Sequence, residues 1–298
     1  MQHLDLSPLA SESSSTCWHC ACAPAGPWQA RRAFLRLGSA AALATAGGAA
    51  LAQVNVGSGS RLRQLVPAQT LEEAATGQYQ ELLAKARAQG ALAPSSNPQL
   101  KRLHTIAGRL VPHALQWNER ARAWRWEVNL IGSQEINAFC MPGGKIAFYT
   151  GILDKLALTD DETAMIMGHE MAHALREHSR EQLAKNQATG IGLSLGAQLL
   201  GLGDLGNMAA RLGSELLSLR FSRSDESDAD LVGLEMAARA GYNPQAAVTL
   251  WEKMGRSTGS GGGGGLAFLS THPSGPERIR ELQRNVPKVQ GLYREARK

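Results

Sequence analysis

The chain has 298 residues, of which 43% are apolar and 19% are charged, and its formal net charge is +5. This length and apolar content are sufficient for one large domain, or for one domain with appendages. The positive charge is modest and forms no basic stripe with interleaved aromatic residues, so nucleic acid is not an expected partner. Aromatic residues are sparse at 5%, while alanine and leucine are frequent, which favours a mainly helical protein with a small sheet.

The first 52 residues have the pattern of an export signal. Arg31-Arg32 precede a weakly apolar run rich in alanine and glycine, which an Ala-x-Ala sequence closes. The two arginines, followed by Phe34-Leu35, resemble a twin-arginine signal, and this resemblance implies export to the bacterial periplasm. The apolar run is too short and too weakly apolar for a good transmembrane helix. The alternative is a cytoplasmic protein with an alanine-rich N-terminal arm.

The four cysteines are unevenly placed. Cys17, Cys20 and Cys22 crowd the N-terminus, and only Cys140 lies in the body of the chain. One body cysteine cannot form an internal disulfide, so oxidation is not expected to hold the core together. We interpret the N-terminal cluster as part of an extended leader, because its spacing is unlike that of ordinary zinc sites.

Two helices and then three strands are predicted before residue 150. Asn97 followed by Pro98 is a typical helix start, with asparagine as the N-cap. Apolar and polar residues then alternate through the first strand, as in a half-buried sheet. The Pro-Gly-Gly sequence between the other two strands favours a turn or a sheet edge over a central strand. The predicted ranges are 70–89 and 97–114 for the helices, and 124–130, 136–141 and 145–149 for the strands.

The most informative stretch of the chain is His-Glu-Met-Ala-His at residues 169–173. It lies in a predicted helix that begins with a capping box at Thr159. His169 and His173 leave the same helix face, because they are one turn apart, so both imidazoles reach one Zn²⁺. Glu170 lies about 100° further round the helix, where it can contact a metal-activated water without binding the metal. The pattern indicates zinc-assisted hydrolysis, foremost of a peptide bond.

The third ligand decides the class of zinc site, since a catalytic site takes three protein ligands and keeps one position open. The metzincin pattern is excluded, because Arg176 and Ser179 occupy the positions of its glycine and its third histidine. His178 lies about 180° from His169 around a continued helix, so we predict that it faces away from the metal, as a solvated or second-face residue.

Glu226 is the better candidate for the third ligand. It lies in an acidic helix that begins near Ser222 or Ser224, and two histidines plus a glutamate need a carboxylate from a separate helix. Asp230 follows one turn later on the same face. It is predicted to accept the N–H of a ligating histidine and so to fix the tautomer of that histidine.

Four segments together resemble the zinc metallopeptidase family of the CAAX prenyl protease and HtpX, in the soluble periplasmic branch of BepA and LoiP. They occur in the family's order between residues 95 and 285. The resemblance implies an α+β, mainly helical, gluzincin-type metallopeptidase domain with a small β-sheet packed on the H-E-x-x-H helix. The hydrophobic transmembrane hairpins of the integral-membrane members are missing, which favours the soluble branch. The segments are 137–139 with 142–145, 169–173, 226–230, and 271–273 with Arg278.

The same resemblance implies further roles. Asn137, Ala138 and Phe139 would form an edge strand that pairs with extended substrate. His272 would either approach the metal as a fourth ligand in a closed state or bind substrate in an open state, and the alternative is a histidine that caps local backbone. Arg278 would support the His272 segment through a carboxylate.

The sequence thus predicts a zinc metalloendopeptidase with one Zn²⁺ per chain and Glu170 as general base. Its expected substrates are extended or misfolded envelope proteins, as in periplasmic protein quality control. The alternative is a non-catalytic, chaperone-like binding protein with a structural metal, although such a site would not need Glu170. Residues 188–219 are compatible with two buried helices or with a mobile cover that has an exposed apolar surface, and contact of this stretch with a membrane surface is left open. The predicted domains are a signal peptide with extended leader at 1–52, an N-terminal helical segment at 53–94 and the zinc metallopeptidase domain at 95–298.

Overall fold

The computed structural model describes residues 54–188, 216–259, 267–272 and 275–298, all within one unit, Ala52–Lys298. The α-helices of these ranges are α1 (Ala68–Ala88), α2 (Pro98–Leu110), α3 (Thr150–Lys155), α4 (Asp160–Leu175), α5 (His178–Ala188), α6 (Arg223–Arg239), α7 (Ala246–Gly259), α8 (Ala267–Thr271) and α9 (Pro276–Ala296). The strands are β1 (Glu127–Ile131), β2 (Ala138–Met141) and β3 (Lys145–Tyr149), and short 3₁₀ helices span Arg61–Leu65, Val111–Gln116 and Glu119–Arg122.

Polar side chains fix where three of the helices begin. Asn97 Oδ1 accepts hydrogen bonds from two backbone N–H groups in the first turn of α2. Thr159 and Glu162 form the predicted capping box at the start of α4. Ser222 and Asp225 form another at the start of α6, so Ser222 is the cap. Each bond satisfies a backbone donor that a helix end would otherwise leave without a partner.

The three strands form a small sheet in the order β1-β3-β2. The central strand, β3, runs parallel to β1 and antiparallel to β2. β2 is therefore an edge strand, which is consistent with the turn or sheet edge that the Pro-Gly-Gly sequence favoured. The first strand begins later than predicted, because Trp124 and Trp126 lie before β1 and pack on each other with ring centroids 5.4 Å apart.

The centre of the fold is α4, which packs against α2, α6 and β2. Every α4 residue from Glu162 to Leu175 is buried. A helix that is buried on all sides shows no single apolar stripe, and this one also carries the H-E-x-x-H sequence. The predicted fold class, a mainly helical α+β domain with a small sheet on this helix, is confirmed.

α4 and α6 cross at two glycines. A Cβ on Gly168 would lie 3.0 Å from the backbone oxygen of Gly233. A Cβ on Gly233 would lie only 2.6 Å from the backbone nitrogen of His169. The two backbones approach this closely because neither glycine has a side chain. The crossing therefore sets the helix of residues 169–173 directly beside the helix that carries Glu226.

The N-terminal part of the described chain packs on the same helices. The backbone N–H of Val54 donates to Glu235 Oε2 of α6 at 2.9 Å, and that of Ser60 donates to Glu181 Oε2 of α5 at 2.9 Å. The hydroxyl of Tyr79 in α1 donates to a backbone carbonyl of β3. These polar contacts join residues 54–88 to α5, α6 and β3.

Glu235→Leu is expected to lower the free energy of unfolding by about 3–5 kcal/mol, because it removes a carboxylate from a buried ion pair. Glu235 is 0% exposed and accepts hydrogen bonds from Arg239 at 2.8 and 2.6 Å, besides the one from Val54. Urea unfolding measures the change. Glu252→Leu, at an exposed position of α7, is the control and should stay within about 0.5 kcal/mol of wild type. Equal midpoints for the two variants would contradict this account of Glu235.

In the described ranges, no helix combines the length and the apolar content needed to cross a bilayer. Most of the stretch 188–219, predicted as buried helices or a cover, lies outside these ranges, as does the predicted signal peptide.

Candidate metal centre

His169, His173, Glu226 and His272 converge in the interior of the protein, and all four are buried. One donor atom from each lies within 4.8 Å of every other. His169 Nε2 is 3.1 Å from His173 Nε2 and 3.5 Å from Glu226 Oε2. His272 Nδ1 is 3.3 Å from His169 Nε2 and 2.9 Å from Glu226 Oε1.

These separations fit one tetrahedral ion. Two ligand atoms at zinc–nitrogen or zinc–oxygen distances of about 2.0–2.1 Å lie about 3.3 Å apart around a tetrahedral centre. In addition, Glu226 Oε2 is buried and makes no hydrogen bond, although Arg278 Nη1 approaches it to 2.7 Å without hydrogen-bonding geometry. Arg278 is therefore one cation beside Oε2, and the histidines of the cluster lie beside the same carboxylate. The donor set therefore fits a divalent metal ion.

Asp230 contacts the Nδ1 side of the His169 ring. Its Oδ1 lies 3.1 Å from His169 Nδ1. An ionised carboxylate only accepts hydrogen bonds, so this contact fits a proton on His169 Nδ1 and a lone pair on Nε2 towards the cluster; Arg278 Nη2 also lies 3.2 Å from His169 Nδ1. Burial alone would raise the pKa of Asp230, but the charge of Arg278 and the hydrogen bond from His169 lower that pKa below its ordinary value. Asp230 is thus ionised at neutral pH.

Arg278 contacts two of the carboxylates of α6, those of Glu226 and Asp230. Its Nη2 donates to Asp230 Oδ1 at 2.8 Å, and its Nε donates to Asp230 Oδ2. Its guanidinium carbon lies 3.4 Å from the ring centroid of Trp251. Arg278 thus has carboxylate partners, Glu226 and Asp230. Glu226 Oε1 also lies 2.9 Å from His272 Nδ1, so support of the His272 segment through a carboxylate stays a prediction compatible with these contacts.

Glu170 lies beside the cluster. Its Oε1 is buried without a hydrogen bond and is 3.5 Å from His272 Nε2. Burial raises the pKa of Glu170, and the positive charges of His272 and His169 oppose this only in part. A carboxyl group with a raised pKa is suited to proton transfer near neutral pH.

The surroundings shift the pKa values of His173 and His272 in opposite directions. Burial and the neighbouring imidazoles lower the pKa of His173 well below its ordinary value, so its ring is neutral, as a metal ligand requires. Burial also opposes a charge on His272, but the carboxylates of Glu170 and Glu226 outweigh it and raise the pKa of His272.

A cleft of about 430 Å³ opens onto the cluster. Asn137, Ala138 and Phe139 line it at the free edge of β2. Residues 216–221 line it as well, and the ring of Phe221 stacks on His173 with centroids 4.0 Å apart. Glu170, His173 and His272 also face this space. The cleft therefore joins the cluster to β2, which pairs with β3 alone among the described strands.

The prediction that His178 is a solvated or second-face residue was wrong, although His178 lies outside the four-residue donor cluster. α4 ends at Leu175, and Glu177 adopts a φ of 60°, so the chain turns before α5 begins. His178 is consequently 4% exposed, and its Nδ1 lies 3.0 Å from His173 Nδ1. Burial lowers the pKa of His178 to about 4, so the ring is neutral at pH 7. The prediction assumed one continuous helix, and a glutamate with positive φ gives no signal in the sequence.

This fold and this cluster define a metallopeptidase domain of the gluzincin type. The sequence profile of Peptidase family M48 matches residues 97–286, more than half of the chain, and the chain belongs to this family. The family prediction is confirmed. The predicted enzyme class, a metalloendopeptidase, is the class that this family and the names of the relatives define.

Several curated relatives are similar to this chain. The mitochondrial metalloendopeptidase OMA1 of Schizosaccharomyces pombe is 39% identical over 167 residues, which are 56% of this chain and 48% of that protein. The metalloprotease LoiP of Escherichia coli is 29% identical over 198 residues, 64% of this chain and 72% of LoiP. The β-barrel assembly-enhancing protease of Escherichia coli is 27% identical over 161 residues, 51% of this chain and 32% of that protease. The chain spans about half the length of the mitochondrial relative from Schizosaccharomyces pombe, and the likeness to mitochondrial proteins was not predicted from the sequence.

Proposed function

We propose that the protein is a zinc-dependent endopeptidase that cleaves extended or unfolded segments of proteins. One observation carries the proposal: His169 Nε2 and His173 Nε2 lie 3.1 Å apart, and each lies 3.5 Å from an oxygen of the Glu226 carboxylate, next to a cleft. The names of the relatives, metalloendopeptidase and metalloprotease, support the same activity.

In this proposal His169, His173 and Glu226 hold the zinc ion, and Asp230 keeps His169 in the ligating tautomer. When bound, zinc supplies a Lewis acid that polarises a carbonyl group and lowers the pKa of water. Glu170 accepts the proton of the attacking water and passes it to the leaving amine. Its raised pKa suits both transfers, because a weaker acid is a better base for water.

The cleft supports a peptide as the substrate. An extended segment would add to β2 at Ala138 and Phe139, on the side that does not pair with β3, and would form backbone hydrogen bonds there. A folded protein could not form these bonds, because its own backbone groups are already paired. Aromatic rings of Tyr149 and Phe221 also line the cleft and provide apolar contacts for side chains. His272 lies at the fourth corner of the cluster, so in this proposal it moves aside for the scissile carbonyl or binds the substrate.

The proposal extends to location and processing. The arginine pair and the Ala-x-Ala sequence support removal of residues 1–52 and a periplasmic enzyme that degrades misfolded envelope proteins. Residues 53–94 would then precede the peptidase domain at 95–298 as an N-terminal helical segment.

Cleavage of unfolded casein tests the activity. The zinc-loaded protein is expected to cut casein, a chelator is expected to abolish the cutting, and added zinc is expected to restore it. Mass spectrometry of the products shows whether internal peptide bonds are broken. If the zinc-loaded protein binds casein without cutting it, the chaperone-like alternative replaces the proposed activity.

A further inference from the structure

His173 has a partner of a different kind from that of His169. His178 Nδ1 lies 3.0 Å from His173 Nδ1, and the two rings meet edge to face with centroids 5.0 Å apart. Both side chains are buried, at 2% and 4% exposure. On its other side, His173 stacks on Phe221. The ring of His173 is thus fixed by one polar contact and one stacking contact.

A contact between two Nδ1 atoms allows only one hydrogen-bonded arrangement in the ligating state. A neutral imidazole has one protonated nitrogen and one nitrogen with a free lone pair. His173 Nε2 faces the cluster, 3.1 Å from His169 Nε2 and 3.5 Å from Glu226 Oε1, so this nitrogen must keep its lone pair to bind a metal. The proton of His173 then lies on Nδ1 and is donated to His178 Nδ1.

We propose that His178 is a positioning residue for the metal centre: its Nδ1 accepts the Nδ1–H of His173 and holds that ligand in the metal-binding tautomer and orientation. The proposal rests on the proposed function only in that His173 is a zinc ligand. It implies that His178 carries its own proton on Nε2. Asp230 serves His169 with a carboxylate, whereas His178 serves His173 with a neutral ring and adds no negative charge behind it.

A pair of substitutions separates this role from packing. In His178→Asn, the amide oxygen takes roughly the place of Nδ1 and can still accept the hydrogen bond. In His178→Leu, the volume is largely kept and the acceptor is lost. Zinc affinity, measured by competition with a chromophoric chelator, is expected to fall about 10–100-fold in His178→Leu and to stay within about threefold of wild type in His178→Asn.

One further measurement and one control variant make the result decisive. Thermal unfolding of the metal-free variants shows whether both are folded, and His113→Leu, on the 3₁₀ helix Val111–Gln116, is the matched control with unchanged zinc affinity. Wild-type affinity in His178→Leu, or equal losses in both His178 variants, would overturn the proposal. A wild-type protein that binds no zinc would instead overturn the proposed function itself.

The tautomer can also be read without any variant. Long-range ¹H–¹⁵N spectra of the zinc-loaded wild type are expected to show His178 protonated on Nε2, with Nδ1 as an acceptor. A proton on Nδ1 of His178 would overturn the proposal even if the His178→Leu protein failed to fold.

Discussion

Glu170→Gln is expected to lower kcat for casein cleavage by about 10²–10⁴-fold, the range for removal of a general base. The substitution keeps the volume of a buried side chain that makes no hydrogen bond through Oε1, so the fold and the zinc content should not change. Initial rates at saturating casein, together with metal analysis of the same samples, give the comparison.

The control for Glu170 is Glu81→Gln, an exposed carboxylate on α1 that should leave kcat unchanged. Equal activity of wild type and Glu170→Gln would contradict the proposed role of Glu170 as general base. Inactivity of both proteins, with zinc bound, would favour the non-catalytic alternative.

Gly233→Ala is expected to damage the centre without touching a ligand. The new methyl group would lie 2.6 Å from the backbone nitrogen of His169 and 2.8 Å from the backbone carbon of Gly168. Backbone atoms cannot swing away as a side chain can, so α4 and α6 must separate. Overpacking of this kind costs about 1–3 kcal/mol of stability. A displacement of about 1 Å between catalytic groups can lower activity by about 100-fold.

Urea unfolding, zinc affinity and casein cleavage of Gly233→Ala measure these effects together. Gly291→Ala is the matched control, because it lies in α9 with nothing within 4 Å of the new methyl group. It should stabilise the protein by about 0.5–1 kcal/mol, as alanine does at an exposed helix position. A Gly233→Ala protein with the unfolding midpoint and activity of wild type would contradict the prediction that the centre depends on the close approach of α4 and α6.

Helical periodicity and helix-capping patterns predicted those parts of the metal centre whose residues lie close together in the sequence, within one helix or at its first turn. His169 and His173 are one turn apart in sequence, so their shared face follows from helical geometry alone. Glu226 and Asp230 repeat the same spacing on a second helix. The capping box at Thr159 could be predicted because its partners are three residues apart.

Contacts between distant segments could not be predicted in this way. The approach of α4 to α6 depends on Gly168 and Gly233, two glycines 65 positions apart whose closeness only the folded chain shows. The contact between His178 and His173 depends on a turn at Glu177. The sheet order also escaped prediction, since β1 pairs with β3 and not with its neighbour in sequence.

The central claim is that His169, His173 and Glu226 together hold one zinc ion, and metal analysis of the purified protein tests it most directly. After dialysis against zinc and then against buffer, the wild type is expected to retain about one zinc per chain, and Glu226→Ala about a tenth of that or less. The account is contradicted if the wild type retains no zinc, or if Glu226→Ala retains as much as the wild type.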